Sequence, residues 1–305
     1  MNPLKLGLIG TGYWARTVHG ASAVQHPDVQ LAGVWGRDKS KTEAAASELA
    51  TRPYLDLDQL LGDVEALTFA VPPDVQADIA LRAANAGKHL LLEKPIATTV
   101  GQGRHLERTA SEKDVASIVF FTRRFIPEIQ QWIQRLQQVG GWECGRAEVA
   151  ASILTDGNPF GQSPWRHEKG GLWDVGPHAL SILLPLLGPV TSVVAGRGVR
   201  DQVHLVLQHP QGRSSTMSLS LMVPDKAIGG STYVYGEHGR EEAPVVKVDP
   251  VRAHGAALTS LLEQAGRSDK RHPCDVHFGA RVVEILSAAE ESLSRGCQVS
   301  LEEAS

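Results

Sequence analysis

The chain has 305 residues, 42% of them hydrophobic, and a formal net charge of −4, which predicts two globular domains with sizeable cores. No long basic run is present to match a phosphate backbone, so nucleic acid is not an expected partner. The longest apolar stretch, residues 179–187, is too short for a bilayer and is interrupted by Ser181 and Pro185, so no membrane partner is expected either. Cys144, Cys274 and Cys297 are an odd number with no CxxC spacing, against a disulfide framework or a thiolate metal site. With no signal-like apolar segment, the expected compartment is the cytoplasm.

A short apolar strand over 5–9 runs straight into Gly10-x-Gly12-x-x-Ala15 and a helix-compatible stretch over 13–24. To about residue 122 the chain then alternates strands over 29–35, 66–71, 89–92 and 116–121 with helices over 40–50, 74–86 and 98–113. That rhythm predicts an α/β fold with a doubly wound parallel sheet, a Rossmann dinucleotide-binding domain over 1–122. From residue 123 the rhythm changes. A helix to about 138, a strand near 147–154, a Gly, Pro and Asn-rich loop over 156–171 and a helix over 172–187 are expected. Extended segments over 191–195, 203–208, 214–221 and 231–235 follow, separated by glycine turns, then helices over 251–264 and 275–294. The expectation for 123–305 is an α+β domain with an open, mostly antiparallel sheet that binds substrate and self-associates. Open sheet edges tend to be covered, so a homodimer or homotetramer is expected.

The glycine turn is what a dinucleotide pyrophosphate needs. The first glycine permits the tight turn, the second removes a Cβ that would hold phosphate off the backbone, and the small third residue lets helix pack on strand. Gly10, Thr11, Gly12, Tyr13 and Trp14 are therefore cofactor-binding candidates. An NAD-type domain carries an acid at the tip of its second strand to accept bonds from the ribose hydroxyls. Here that position is Gly36, followed by Arg37 and, one turn on, Lys41, a pattern that suits a 2′-phosphate. NADP is expected over NAD, with Asp38 standing in for the acid as the alternative. Val71 and Pro72, and Glu93 and Lys94, end two further strands on the carboxyl edge where such folds bind ligands. Lys94 can donate a hydrogen bond to a reacting carbonyl and stabilise alkoxide character. If 172–187 is one helix, Asp174 and His178 share a face four residues apart. The imidazole can then move a proton, and the carboxylate can orient a hydroxyl or the ring. Pro177 makes the local geometry uncertain. His19, His26, His204, His209 and His272 have no second ligand at metal spacing, so no metal is expected. The serines lack a Gly-x-Ser-x-Gly elbow, which speaks against an esterase.

In this combination the chain resembles the glucose-fructose oxidoreductase, inositol dehydrogenase and MocA family over nearly its whole length. The resemblance is carried by Gly10-x-Gly12-x-x-Ala15, by Ala86-Gly87-Lys88-His89 leading to Glu93-Lys94-Pro95, and by Arg123-Arg124-Phe125-x-Pro127. It continues through Trp165-Arg166, Gly170-Gly171-x-x-Asp174-x-Gly176-x-His178, and the run from Cys274 to Gly279. It implies catalytic roles for Lys94, Asp174 and His178, and a loop at Trp165 and Arg166 that reaches the nicotinamide end. It further implies an NAD(P)-dependent dehydrogenase or reductase acting on a hydroxyl or carbonyl of a sugar, cyclitol or related ring. Ser181 stands where the family often has an aspartate, and Gln76 where a histidine is frequent, so substrate identity is left open. Two alternatives remain beside it: a non-catalytic NADP(H)-binding regulator on the same fold, and a dehydrogenase of a non-sugar ring such as a dihydrodiol or a tetrapyrrole.

Overall fold

A computed structural model describes residues 2–155, 157–267, 269 and 271–301. Asp156, the first residue of the expected glycine-rich loop, lies outside them. In chain order, β1 (Leu4–Ile9) leads through a π-helical turn (Ala15–Gly20) to α1 (Ala21–Gln25), β2 (Val29–Trp35), α2 (Lys39–Glu48), β3 (Arg52–Tyr54) and α3 (Leu57–Asp63). Next come β4 (Ala66–Phe69), α4 (Pro73–Asn85), β5 (His89–Leu92), α5 (Val100–Glu112), β6 (Ser117–Val119), α6 (Pro127–Val139) and β7 (Trp142–Ala150). The rest is α7 (Pro164–Asp174), α8 (Gly176–Leu187), β8 (Ser192–Arg197), β9 (Val203–Gln208), β10 (Ser214–Ser220), β11 (Thr232–Gly236), β12 (Gly239–Glu242), α9 (Pro250–Ala265), α10 (Val276–Arg295) and β13 (Val299–Ser300).

The chain forms two compact units, Met1–Phe125 with Val248–Ala280, and Ile126–Lys247 with Arg281–Ser305. The first holds an all-parallel sheet in the order β3-β2-β1-β4-β5-β6. β1, β4 and β5 are almost wholly apolar and buried, as strands covered on both faces must be. The strand order reverses between β1 and β4, and that crevice at the carboxyl ends is where such sheets bind ligands. The segment Val248–Ala280 comes from well beyond residue 122. Its α9 buries Ala253, Ala257, Leu258 and Leu261 and packs against β5 and β6. The run from Cys274 to Gly279 finishes the β6 edge: the Val119 amide donates to the Cys274 carbonyl at 2.6 Å, and the Val276 amide to Ser117 Oγ at 3.1 Å.

The second unit holds a seven-stranded sheet in the order β12-β11-β7-β10-β9-β8-β13. Every pair is antiparallel except β7 with β10. α8 lies on one face, close enough that a Cβ on Gly145 of β7 would stand 2.8 Å from Leu183 and from Leu187. Alternation along β9 buries Val203, Leu205 and Leu207 and exposes His204, Val206 and Gln208, the pattern of a sheet covered on one side. No helix of the described residues is long and apolar enough to cross a membrane.

Several elements differ from the sequence expectation. β3 and α3 replace an expected connection; β3 carries Pro53, tolerable because β3 is an edge strand. β7 begins at Trp142, directly after Gly140 and Gly141 end α6 with positive φ, rather than near residue 147. The loop expected over 156–171 contains the first part of α7, started by Pro164 in its first turn. The single helix expected over 172–187 is two. Pro177 has no N–H for the Trp173 carbonyl and its ring crowds that group, so the helix breaks at Val175 and α8 restarts with Pro177 in its first turn.

His272, between α9 and α10, lies parallel to the Phe125 ring at 6.1 Å, and its Nδ1 accepts the Cys274 amide at 3.0 Å. Burial, and then the nearby Arg124 charge, push its imidazole down to about 4. The unfolded chain therefore takes up this proton at higher pH than the native one, and the stabilisation is complete above pH ~6.5 and lost as pH falls toward about 4. Denaturant unfolding at pH 7 and pH 5 should show a loss with a contribution of about 2 kcal/mol from this residue. His272→Asn, which keeps an acceptor for the Cys274 amide but does not titrate, should lose correspondingly less; an equal loss in both proteins refutes the assignment.

Candidate active site

The first unit gathers its candidates at the carboxyl edge of the parallel sheet. Gly10 follows β1 with φ +126°, and a Cβ there would lie 2.4 Å from the Ala70 carbonyl oxygen at the end of β4. Only glycine satisfies both the dihedral and the space. Gly12 is exposed, and a Cβ on it would meet nothing within 4 Å. That open space at the start of the helical segment is a cradle for a phosphate pair, and the residues present fit a dinucleotide there. Ala15 is fully buried, the small residue the helix-on-strand contact requires. Tyr13 is half exposed, and the Trp14 indole N–H donates to Glu93 Oε1 at 2.7 Å.

At the tip of β2 a Cβ on Gly36 would lie 2.6 Å from Thr11 Cγ2 and 3.0 Å from Thr42 Oγ1. Thr11 thus occupies the room an acidic side chain would need. Asp38 caps α2, its Oδ1 accepting the Lys41 amide at 3.0 Å. Arg37 and Lys41 are exposed and neither is in an ion pair among the described residues. Val71 is half buried beside Gly10, and Pro72 precedes α4 as its cap residue.

Lys94 sits just past β5 on a turn held from two sides. Buried Gln76 of α4 accepts the Glu93 amide at 2.8 Å and donates to the Glu93 and Pro95 carbonyls at 2.7 and 3.1 Å. Glu93 Oε2 accepts the Lys94 amide at 3.1 Å. The Lys94–Pro95 peptide is cis. The departure at Gln76 is therefore accounted for by the backbone of the 93–95 turn.

The second unit brings together Trp165, Arg166 and Asp174, and carries His178 at the start of α8. Gly170 interrupts α7 with φ +60° and ψ −161°, and a Cβ on Gly171 would stand 3.0 Å from Ser220 Cα of β10. The kink and the close approach bring Arg166 back to Asp174, Nε to Oδ2 3.0 Å, with side chains 18% and 4% exposed. The guanidinium lies between two rings, 4.6 Å from the Trp165 centroid and 4.7 Å from that of Phe160. Arg166 is thus the charge partner of Asp174, a pairing that sequence reasoning missed because the residues fell on opposite sides of an expected loop boundary. His178 stands in the first turn of α8, its amide bonded to the Val175 carbonyl at 3.2 Å, so it does not continue the helix that carries Asp174. Ser181 is buried and donates to the His178 carbonyl at 2.8 Å.

Residues 4–121 match the family model described as an oxidoreductase family with an NAD-binding Rossmann fold, and residues 137–242 match the GFO/IDH/MocA C-terminal domain. An uncharacterised protein of Saccharomyces cerevisiae, YMR315W, is 28% identical over 97% of this chain and 91% of its own length. A D-xylose 1-dehydrogenase (NADP(+)) of Haloferax volcanii is 26% identical over 95% of this chain and 90% of its own. Among solved structures, GenD2 from gentamicin A biosynthesis in complex with NAD has the same fold, with a TM-score of 0.84 at 21% identity over 99% of this chain and 97% of GenD2.

Removing the charge partner of a buried carboxylate is costly. Arg166→Met should destabilise the protein by about 2–3 kcal/mol in denaturant unfolding. Asp174→Asn added to it should recover part of that loss; a purely additive double variant would show that the pair is not coupled.

Proposed function

The chain belongs to the glucose-fructose oxidoreductase, inositol dehydrogenase and MocA family, and from that footing we propose that it transfers hydride between NADP and a secondary alcohol or ketone on a sugar, cyclitol or related ring. The observation that carries the reading is the open cradle at Gly12, beside Gly10 and at the start of a helical segment. Gly10, Thr11, Gly12, Tyr13 and Trp14 hold the pyrophosphate side, and Val71, Pro72 and Glu93 border it. Preference for NADP is supported by Thr11 filling the space an acid at position 36 would take, by Asp38 serving as a cap, and by the exposed charges of Arg37 and Lys41. The Haloferax volcanii relative named for NADP(+) agrees with it.

When bound, the nucleotide supplies the redox chemistry at its nicotinamide ring. Lys94 donates a hydrogen bond to the substrate oxygen and stabilises its alkoxide character. His178 takes up or returns the hydroxyl proton. Asp174, held by Arg166, orients the substrate hydroxyl, and Trp165 with Arg166 borders the nicotinamide end. Lys94→Ala and His178→Ala should each lower kcat about 100-fold or more while the Kd for NADPH changes less than about threefold. Full activity in either variant refutes that residue's role. Titration of the wild-type protein should give NADPH at least about tenfold tighter than NADH, with Arg37→Ala closing the gap; a preference for NADH overturns the NADP reading. A panel of sugars, cyclitols and keto-sugars tests the substrate class, and bound NADPH with no turnover on any of them refutes catalysis.

The same reading includes self-association as a homodimer or homotetramer. Val194, Val206 and Tyr235 stand exposed on the second sheet, and Val194, Val206, Thr216, Arg146 and Tyr233 form one row across β8, β9, β10, β7 and β11. Such a face, apolar in part and left open, is a natural interface. Light scattering should give two or four times the 32.8 kDa chain mass, and Val194→Asp with Val206→Asp should give monomers with unchanged circular dichroism. A wild-type monomer at micromolar concentration rules the interface out.

A further inference from the structure

Beneath the Lys94 turn, inside the first unit, runs a chain of polar side chains with no part in the chemistry assigned so far. His19, Thr68 and His254 are each 0% exposed. His19 Nε2 lies 3.1 Å from Glu93 Oε1, His19 Nδ1 lies 2.7 Å from Thr68 Oγ1, and Thr68 Oγ1 lies 3.1 Å from His254 Nε2. The two imidazoles stand 4.1 Å apart, and the edge or face of Phe120 seals both at near right angles. His19 is placed there by the π-helical turn, which keeps Val18, His19 and Gly20 buried together; such turns recur at functional sites.

With both imidazoles neutral, the direction of every bond follows from one end. An ionised carboxylate only accepts, and Glu93 already accepts from the Trp14 indole at Oε1 and from the Lys94 amide at Oε2. His19 must then donate from Nε2, which leaves its Nδ1 as an acceptor in the neutral ring. Thr68 donates its hydroxyl proton to that Nδ1, and its oxygen accepts from His254 Nε2–H. The last atom, His254 Nδ1, is left bare, and it has no hydrogen-bond partner among the described residues. A bare nitrogen there agrees with burial pushing the His254 imidazole well below its usual range, so that the ring is neutral. All three protons point toward Glu93.

We propose that His19 is a positioning residue, which, itself held by Thr68 and His254, fixes the Glu93 carboxylate and so the turn that presents Lys94. Packing alone does not call for this arrangement, since apolar side chains of similar volume would fill the space without burying hydrogen-bonding groups. Gln76 holds the backbone of the turn and the histidine chain holds its acid. The proposal rests on Lys94 being the group that meets the substrate oxygen.

Nitrogen-15 spectra of histidine-labelled wild-type protein, without cofactor, should show both His19 and His254 protonated at Nε2 and bare at Nδ1. A His19 ring protonated at Nδ1 overturns the proposal. In kinetics with NADPH, His19→Leu should lower kcat about tenfold or more, with substrate KM and NADPH Kd within about threefold. His19→Gln, whose amide N–H can reach Glu93, should recover at least about half of the loss in log kcat. Unchanged kcat in His19→Leu, or no recovery in His19→Gln, overturns the anchor. If His19→Leu does not fold, Thr68→Val and Thr68→Ser replace it: a loss in the first and not the second supports the chain, and equal kcat refutes it. A wild-type protein that turns over no ring substrate refutes the oxidoreductase reading instead, and the ring tautomers then decide the anchor by themselves.

Discussion

Parallel strands that part at their carboxyl ends leave a wedge of unpaired backbone, and the candidate cofactor site depends on how closely that wedge is built. β1 and β4 pair as far as Ile9 and Phe69, and the Ala70 amide still donates to the Ile9 carbonyl at 2.8 Å. One residue later Gly10 turns away with the Ala70 carbonyl where its Cβ would be. Any side chain there would force β1 and β4 apart and move the start of the helical segment. Thr11, Gly12 and Trp14 take their places from that turn, and the Trp14 indole carries its geometry across to Glu93 at the end of β5. Three strand ends are thereby tied into one surface.

Buried charge is handled differently in the two units. In the first, the proposed arrangement holds Glu93 by neutral donors: an indole, an imidazole and a backbone amide. In the second, Asp174 is held by a full positive charge, itself stacked between Phe160 and Trp165. A carboxylate neutralised by a guanidinium exerts a short-ranged field. One satisfied only by dipoles keeps its net charge, and in a poorly screened interior that charge acts over a longer distance. The choice of partner therefore sets how strongly each acid is felt by groups around it, independently of how many hydrogen bonds it makes.

Much of this was legible in the sequence, and the reason is locality. The Gly10-x-Gly12-x-x-Ala15 turn and five of the six strands of the parallel sheet depend on residues within a dozen positions of one another, where periodicity and dihedral preference act directly. β3 escaped because a three-residue edge strand containing proline carries no alternation. The split of α7 from α8 was foreshadowed by Pro177, but the kink inside α7 was not, because the close approach of Gly171 answers to β10 some fifty residues away. The His19–Thr68–His254 chain left no local trace at all: its members come from a helical turn, a strand and a distant helix, and its bonds span up to 186 positions. Histidines judged only by metal-ligand spacing could not have revealed it.

Asp38, the alternative acid at the tip of β2, and Gln76 and Ser181, which depart from the family's usual residues, all bond to the protein's own backbone. Asp38 closes the first turn of α2, Gln76 braces the 93–95 turn, and Ser181 bonds back to the carbonyl of His178. In each case the polar side chain is bonded to a main-chain amide or carbonyl. At the tip of β2 Arg37 and Lys41 are exposed beside Asp38, which keeps its charge while capping α2, and a Cβ on Gly36 would crowd Thr11.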